Sequence, residues 1–238
     1  MSKEKNTKKE NKYYSFKFIV IGDQSVGKTN IINRFAKKDF TNEYKVTIGM
    51  EFLSYYLKIN NRVFNIQLWD TAGQERFHSI VKGYFSNSTC AIVVYDITQR
   101  SSFNSVKDWV EECKNYTNKN VLLLLVGNKT DLKDKREIST EEGREFAEKN
   151  GMEFFESSAL TGDNIDHIFV SACQIINENL NNDLYDFNDP SNGIKIGMID
   201  EDMEINEEIY TESFKLENKR KANYKTGDNS GSKCNCVK

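Results

Sequence analysis

Two glycines with four residues between them precede a lysine and a hydroxyl in Gly22-Asp23-Gln24-Ser25-Val26-Gly27-Lys28-Thr29. Where such a loop ends a strand and opens a helix, its backbone N–H groups and the helix N-terminus attract an anion. Lys28 is then placed to reach the β- and γ-phosphates of a nucleotide, and the Thr29 hydroxyl to ligate Mg²⁺. Further along stands Asp70-Thr71-Ala72-Gly73-Gln74. A carboxylate at the end of a strand can hold Mg²⁺ through water, and Gly73 offers a backbone N–H with no side chain to block a γ-phosphate. Gln74 is placed to orient an attacking water. Glutamine is a poor base, so its contribution would be positional and electrostatic.

Asn128-Lys129-Thr130-Asp131 follows the apolar run Val121–Val126. The Asp131 carboxylate can accept hydrogen bonds from the N1–H and exocyclic amine of guanine, a pattern that adenine lacks. A mismatched base leaves buried polar groups unpaired, and discrimination of this kind reaches ~10⁴ or more. Thr47 lies between the first two motifs, and Ser158-Ala159-Leu160 comes last. Each motif is short. Their common order along the chain makes them parts of one guanine-nucleotide pocket.

The elements that must position these loops can be read from periodicity. Phe16–Ile21 is a short apolar run ending at Gly22, as a buried strand does, and Thr29–Ala36 puts Ile31, Ile32 and Phe35 on one helical face. Glu51–Ile59 and Arg62–Trp69 are β-rich and joined by Asn60-Asn61, a pair that tolerates the positive φ of a two-residue hairpin turn. Cys90–Tyr95 and Val121–Val126 predict two further buried strands, and Met152–Glu156 a last short one. Helices are predicted over Ser102–Tyr116, over Thr140–Lys149 with Ser139 as its cap, and over Asn164–Leu180. Strands alternating with helices define an α/β fold: six strands, mostly parallel, with one antiparallel hairpin and helices on both faces. Ligands of such sheets lie at the carboxyl ends of the strands, where all the motifs fall.

A chain of 238 residues has room for one domain of about 100–200 residues and something more. Residues 1–12 are polar, Lys-rich and aperiodic, which predicts a disordered arm. Residues 13–180 make the nucleotide-binding domain. From residue 181 the periodicity dissolves: Asp183–Glu212 carries ten acidic residues against one basic, and Lys215–Lys238 seven basic against two acidic. That composition predicts a flexible tail over 181–238. The net charge of −3 is too small to argue for nucleic acid as a partner, and no apolar run approaches the ~20 residues that span a bilayer. Cys90, Cys113 and Cys173 sit in apolar or helical patterns and read as small buried hydrophobes, whereas Cys234 and Cys236 stand alone in a polar tail. A reduced, cytosolic setting fits this usage better than a disulfide framework.

These motifs resemble the Ras superfamily of small GTPases and, within it, the Rab family. The resemblance runs from about Tyr13 to Leu180 and includes Ile48–Phe52, Gln67–Phe77, Tyr95–Thr98 and Asn164–Phe169. It implies the small-GTPase phosphate-loop fold, GTP and GDP as ligands, Mg²⁺ as cofactor and GTP hydrolysis as activity. Gln24, Ser25, Val26, Gly27, Lys28, Thr29 and Asn30 would line the phosphates, with Gly73 beside them. Phe40 would stack on the guanine; Asn128, Lys129, Asp131, Ser158, Ala159 and Leu160 would surround it. Thr29, Thr47 and Asp70 would serve the metal, Gln74 the reaction. Residues about 38–50 and 71–86 look like the two switches, ordered by GTP and released by hydrolysis. Phe52, Trp69 and Tyr84 match the aromatic triad that Rab effectors read.

The sequence departs from the family pattern in three places. No glycine stands between Gly22 and Gly27, and Gln24 crowding Gln74 predicts slow unassisted hydrolysis. Leu160 replaces the more usual lysine. The chain ends Cys234-Asn235-Cys236-Val237-Lys238, which is not a C-a-a-X box but resembles a double-cysteine Rab tail. Two geranylgeranyl groups there would give the two signals that stable anchoring needs, and Lys219-Arg220-Lys221 would add attraction to anionic lipid. The implied partners are effectors, an exchange factor, a GTPase-activating protein, a GDP-dissociation inhibitor and an escort protein for prenylation, around a monomeric switch. The implied location is the cytoplasmic face of Golgi, early secretory or recycling endosomal membranes, in exchange with cytosol. Ser158–Gly162 and Asn192–Gly197 tilt it toward the secretory and recycling branch. Two alternatives stay open: a GTP-bound scaffold with negligible hydrolysis, and a phosphate-loop kinase, which would leave Asn128–Asp131 unexplained.

Overall fold

Strand β1 (Lys12–Ile21) runs through the middle of the sheet, and Phe16, Phe18, Ile19, Val20 and Ile21 are buried on both of its faces. Two-sided burial is what a continuous apolar run demands of a parallel strand. The computed structural model describes residues 12–41, 47, 50–59, 62–73, 83–200 and 202–207. β1 pairs in parallel with β3 (Arg62–Thr71) and with β4 (Cys90–Asp96). β2 (Met50–Ile59) is antiparallel to β3, in register from Met50 opposite Thr71 to Ile59 opposite Arg62. That register leaves two residues for the turn, and Asn60 and Asn61 themselves lie outside the described residues. With β5 (Leu122–Asn128) and β6 (Glu153–Glu156) the order is β6-β5-β4-β1-β3-β2. All six expected strands are present, with the one antiparallel pair.

Helices cover both faces. α1 (Lys28–Lys37) packs on α5 (Ile165–Asn181), where the Phe35 and Phe169 rings stack 4.1 Å apart. On the other face α3 (Val106–Tyr116) and α4 (Thr140–Asn150) join Ile19, Val93, Tyr95 and Leu125 in one apolar cluster through Trp109, Val110, Cys113 and Ala147. The expected Ser139 cap is formed, its hydroxyl accepting the Glu142 N–H at 3.1 Å. The single helix expected over Ser102–Tyr116 is broken at Ser105, so that α2 (Arg100–Asn104) precedes α3. There the Ser105 N–H and hydroxyl both donate to the Ser101 carbonyl, and serine back-bonding of this kind bends helices. Cys90, Cys113 and Cys173 are buried cysteines, as their patterns predict.

The chain after α5 departs from expectation. Ordered structure does not stop at residue 180. A 3-10 turn at Pro190–Asn192 leads into β7 (Ile194–Met198), antiparallel to β1 from Lys12 opposite Met198 to Phe16 opposite Ile194. β8 (Asn206–Glu207) then pairs with β2 at Leu57 and Lys58, so the sheet has eight strands rather than six. Lys12, assigned by composition to the arm, belongs to β1. The physical reason is an open edge: β4 pairs with β1 only from Phe18 onward, which leaves the first half of β1 for another strand. Several acidic residues that suggest disorder are turn formers. Asp186 accepts the Asn188 N–H at 2.8 Å, and Asp189 the Ser191 N–H at 2.9 Å. Gly193, at φ 69°, lies so close to the Asn87 carbonyl that no side chain fits.

Candidate functional site

Four strands end at one rim, and each delivers a motif. β1 runs into Gly22–Gly27, β3 into Ala72-Gly73, β5 into Lys129 and β6 into Ser157–Leu160. The phosphate loop turns into α1 through Gly27, whose φ of 102° suits only glycine and whose Cβ position is taken by the Asn128 amide. Ser25 is also left-handed at φ 65°, and Gln24 beside it is exposed. Lys28 is buried, and its ammonium donates back across the loop to the carbonyls of Gly22 and Asp23, both at 2.8 Å. Burial pushes its pKa down to about 8, while Asp70 and Asp23 pull it up. A Cβ on Gly73 would overlap the Lys28 ammonium and the Asp23 carbonyl, so the backbone after β3 approaches the loop as only glycine permits.

Thr29, Thr47 and Asp70 meet at one point. The Thr29 hydroxyl donates to Asp70 Oδ2 at 2.5 Å and lies 3.1 Å from the Thr47 hydroxyl, which is itself 3.4 Å from the same carboxylate oxygen. Asp70 is 3 % exposed, and its Oδ1 has no hydrogen-bond partner among the described residues. Burial raises its carboxyl above the ordinary range, against the Thr29 hydrogen bond and the Lys28 charge. Two hydroxyls and a buried carboxylate with an unused oxygen make a hard donor set, which fits a small divalent cation such as Mg²⁺.

The base end is held by Asn128. Its amide donates to the Val26 carbonyl at 2.8 Å, tying β5 to the phosphate loop, and its Oδ1 accepts the Ala159 N–H at 3.2 Å. Lys129, in the left-handed region at φ 72°, pairs with the buried Asp96 at 2.6 Å. Asp131 accepts the Ser158 hydroxyl at 2.5 Å, and the Ser158 hydroxyl also accepts the Thr161 N–H. Asn30 donates to the Thr41 carbonyl at 3.4 Å, next to Phe40. The fold therefore brings together the phosphate-side, metal and base-side residues that the sequence singles out. Gln74, Cys234 and Cys236 lie outside the described residues. On the outer face of β2 and β3, Phe52 meets Trp69 edge to face at 5.6 Å and Trp69 meets Tyr84 at 5.8 Å.

Three further residues shape the site without standing in the nucleotide-pocket motifs. The Trp109 indole donates to Asp23 at 2.8 Å, tying α3 to the phosphate loop. Asp96 carries Lys129; in the sequence it is marked as the carboxylate closing the apolar run Cys90–Tyr95 and as part of the stretch Tyr95–Thr98. Arg34 donates through Nε to the Ala159 carbonyl at 2.9 Å and through its terminal nitrogen to the Leu160 carbonyl.

A comparison with known families agrees with this geometry. The sequence matches the Ras family over residues 17–178, more than half of the chain. The chain belongs to the Ras family and is a small GTPase: its members bind GTP and GDP, typically with Mg²⁺, and act as GTP-hydrolysing switches.

Proposed function

We propose that this small GTPase is a Rab-type switch that recruits effectors to membranes of the secretory or recycling endosomal system while GTP is bound. The observation that carries the reading is the packed aromatic triad. Phe52 on β2 is 53 % exposed yet held against Trp69 on β3, and Trp69 is held against Tyr84 of the second switch segment. Such a large exposed aromatic on a rigid support suits recognition by a partner.

Within the site, Lys28 and the N–H groups of Gln24 to Asn30 hold the phosphates, and the Gly73 N–H contacts the γ-phosphate. Asp131, Asn128, Ser158, Ala159 and Leu160 hold the base, with Phe40 stacked upon it. Thr29, Thr47 and Asp70 hold Mg²⁺, which neutralises phosphate charge when bound. Gln74 orients the attacking water, and a GTPase-activating protein supplies the remaining charge stabilisation, often as an arginine finger. An exchange factor restarts the cycle. Geranylgeranyl groups on Cys234 and Cys236, added with an escort protein and masked by a GDP-dissociation inhibitor, provide reversible attachment.

Tagged protein in cells tests this reading. Gln74→Leu should accumulate on one class of internal membrane, and the same chain with Cys234→Ser and Cys236→Ser should be diffuse. Equal, diffuse distribution of both would contradict it. The scaffold alternative is separated by single-turnover GTP hydrolysis with and without an activating protein.

A further inference from the structure

Arg34 leaves the middle of α1 and spans two segments that the motifs treat as separate. Its Nε donates to the Ala159 carbonyl at 2.9 Å, its terminal nitrogen to the Leu160 carbonyl, and its guanidinium lies 5.7 Å from the centre of the Phe40 ring. A planar fork with fixed donors can hold two successive carbonyls at once, which a lysine cannot. The peptide group is planar and trans, so a carbonyl fixed toward α1 turns the next N–H the opposite way. Holding the Ala159 carbonyl thus directs the Leu160 N–H away from α1, and holding the Leu160 carbonyl does the same for Thr161. The Thr161 N–H is met by the Ser158 hydroxyl, which also donates to Asp131.

We infer that Arg34 is a positioning residue of the guanine pocket: it locks the 158–160 loop and Phe40 in place and so sets how long nucleotide stays bound. This rests on the reading of Phe40, Asp131 and Ser158–Leu160 as the base site. The helix that begins at Lys28 and Thr29 serves the phosphates at its first turn. Six residues past Lys28, through Arg34, it organises the base, and one rigid element couples the two ends of the ligand.

The test is the release of a fluorescent GDP from full-length protein chased with excess GDP. Arg34→Gln should release it about tenfold faster than wild type, the scale of lost hydrogen bonds to a charged group. Arg34→Lys should fall between them. Release of a non-hydrolysable GTP analogue should quicken by the same factor, because the base is common to both. The ratio of release rates between variant and wild type should be the same with Mg²⁺ and after its chelation, because Arg34 acts at the base and not at Thr29, Thr47 and Asp70. If Arg34→Gln does not fold, Arg34→Lys, which keeps the stem and the charge, reads the same rate.

Release at the wild-type rate in the folded variants would overturn the assignment. So would an effect that differs between the diphosphate and triphosphate, or one that appears only when Mg²⁺ is present. Wild-type protein that takes up no guanine nucleotide would instead overturn the site reading on which the assignment stands.

Discussion

The two ends of strand β1 are built on opposite terms. At its carboxyl end, polar groups are buried and left wanting. Asp70 Oδ1 has no partner among the described residues, its carboxyl is raised by burial, and the Lys28 ammonium is held by loop carbonyls with its pKa down at about 8. At the amino end, the segment after α5 is fastened by side-chain amides. Asn120 donates to the Leu184 carbonyl at 3.2 Å, Asn192 to the Asp186 carbonyl at 2.8 Å, and Asn118 to Ser191 at 2.5 Å. Thr89 adds a bond to the Asn192 carbonyl at 3.0 Å. One end leaves charged groups unmet for a ligand, and the other puts side-chain amides to holding the chain. Substitutions at the first should therefore move binding, and at the second stability.

The largest effect belongs to the base carboxylate. Asp131→Ala should lower GDP affinity by at least about a hundredfold, because it removes the acceptor that guanine requires. Titration calorimetry reads it, and unchanged affinity would remove Asp131 from the site. At the opposite end, Gly193→Ala forces a Cβ into the Asn87 carbonyl at a left-handed φ. A cost of about 2 kcal/mol would lower the melting temperature by roughly 5 °C. GDP release should remain at the wild-type rate, and a change in release comparable to that of a base-site variant would erase the distinction between the ends.

Asp70→Asn crosses the comparison. It should weaken Mg²⁺-dependent nucleotide binding while raising the melting temperature of ligand-free protein at neutral pH. A buried carboxyl whose pKa is raised destabilises the fold when ionised, and that cost fades as the pH falls and it is protonated. The gain over wild type should accordingly shrink toward acid pH in a series of thermal melts.

The smallest effect concerns Lys17, whose ammonium sits 4.2 Å above the Trp69 ring and donates to the Tyr84 and Ser86 carbonyls at 2.6 and 2.9 Å. Burial lowers its pKa to about 8, so between pH 8 and 10.5 the unfolded chain binds more protons at this site than the folded one. Its contribution to stability must rise with pH across that window. Lys17→Met should flatten the rise in melts recorded from pH 8 to 10.5.

The sequence made the ligand-facing end of this molecule legible and left the other end obscure. Glycines that admit a backbone approach, a lysine after them and a carboxylate closing a strand are local signals, and Gly22–Thr29, Asp70–Gly73 and Asn128–Asp131 carried them. The six strands followed from apolar runs or β-rich content, signals that are equally local. β7 and β8 did not. Their partners lie far back in the chain, at Lys12–Phe16 and Leu57-Lys58, and an acidic composition hid side chains that serve as turn caps. Arg34 and the Trp109–Asp23 bond escaped because each depends on what a helix residue faces across the fold. Ser105 broke a helix that periodicity alone would continue, through a side-chain bond to the backbone.

Titration of full-length protein with GDP and then with ADP, both in the presence of Mg²⁺, tests the convergence of these loops most directly. The account predicts one GDP site per chain and a preference over ADP on the order of 10⁴. Absence of GDP binding, or ADP binding of similar strength, would contradict it.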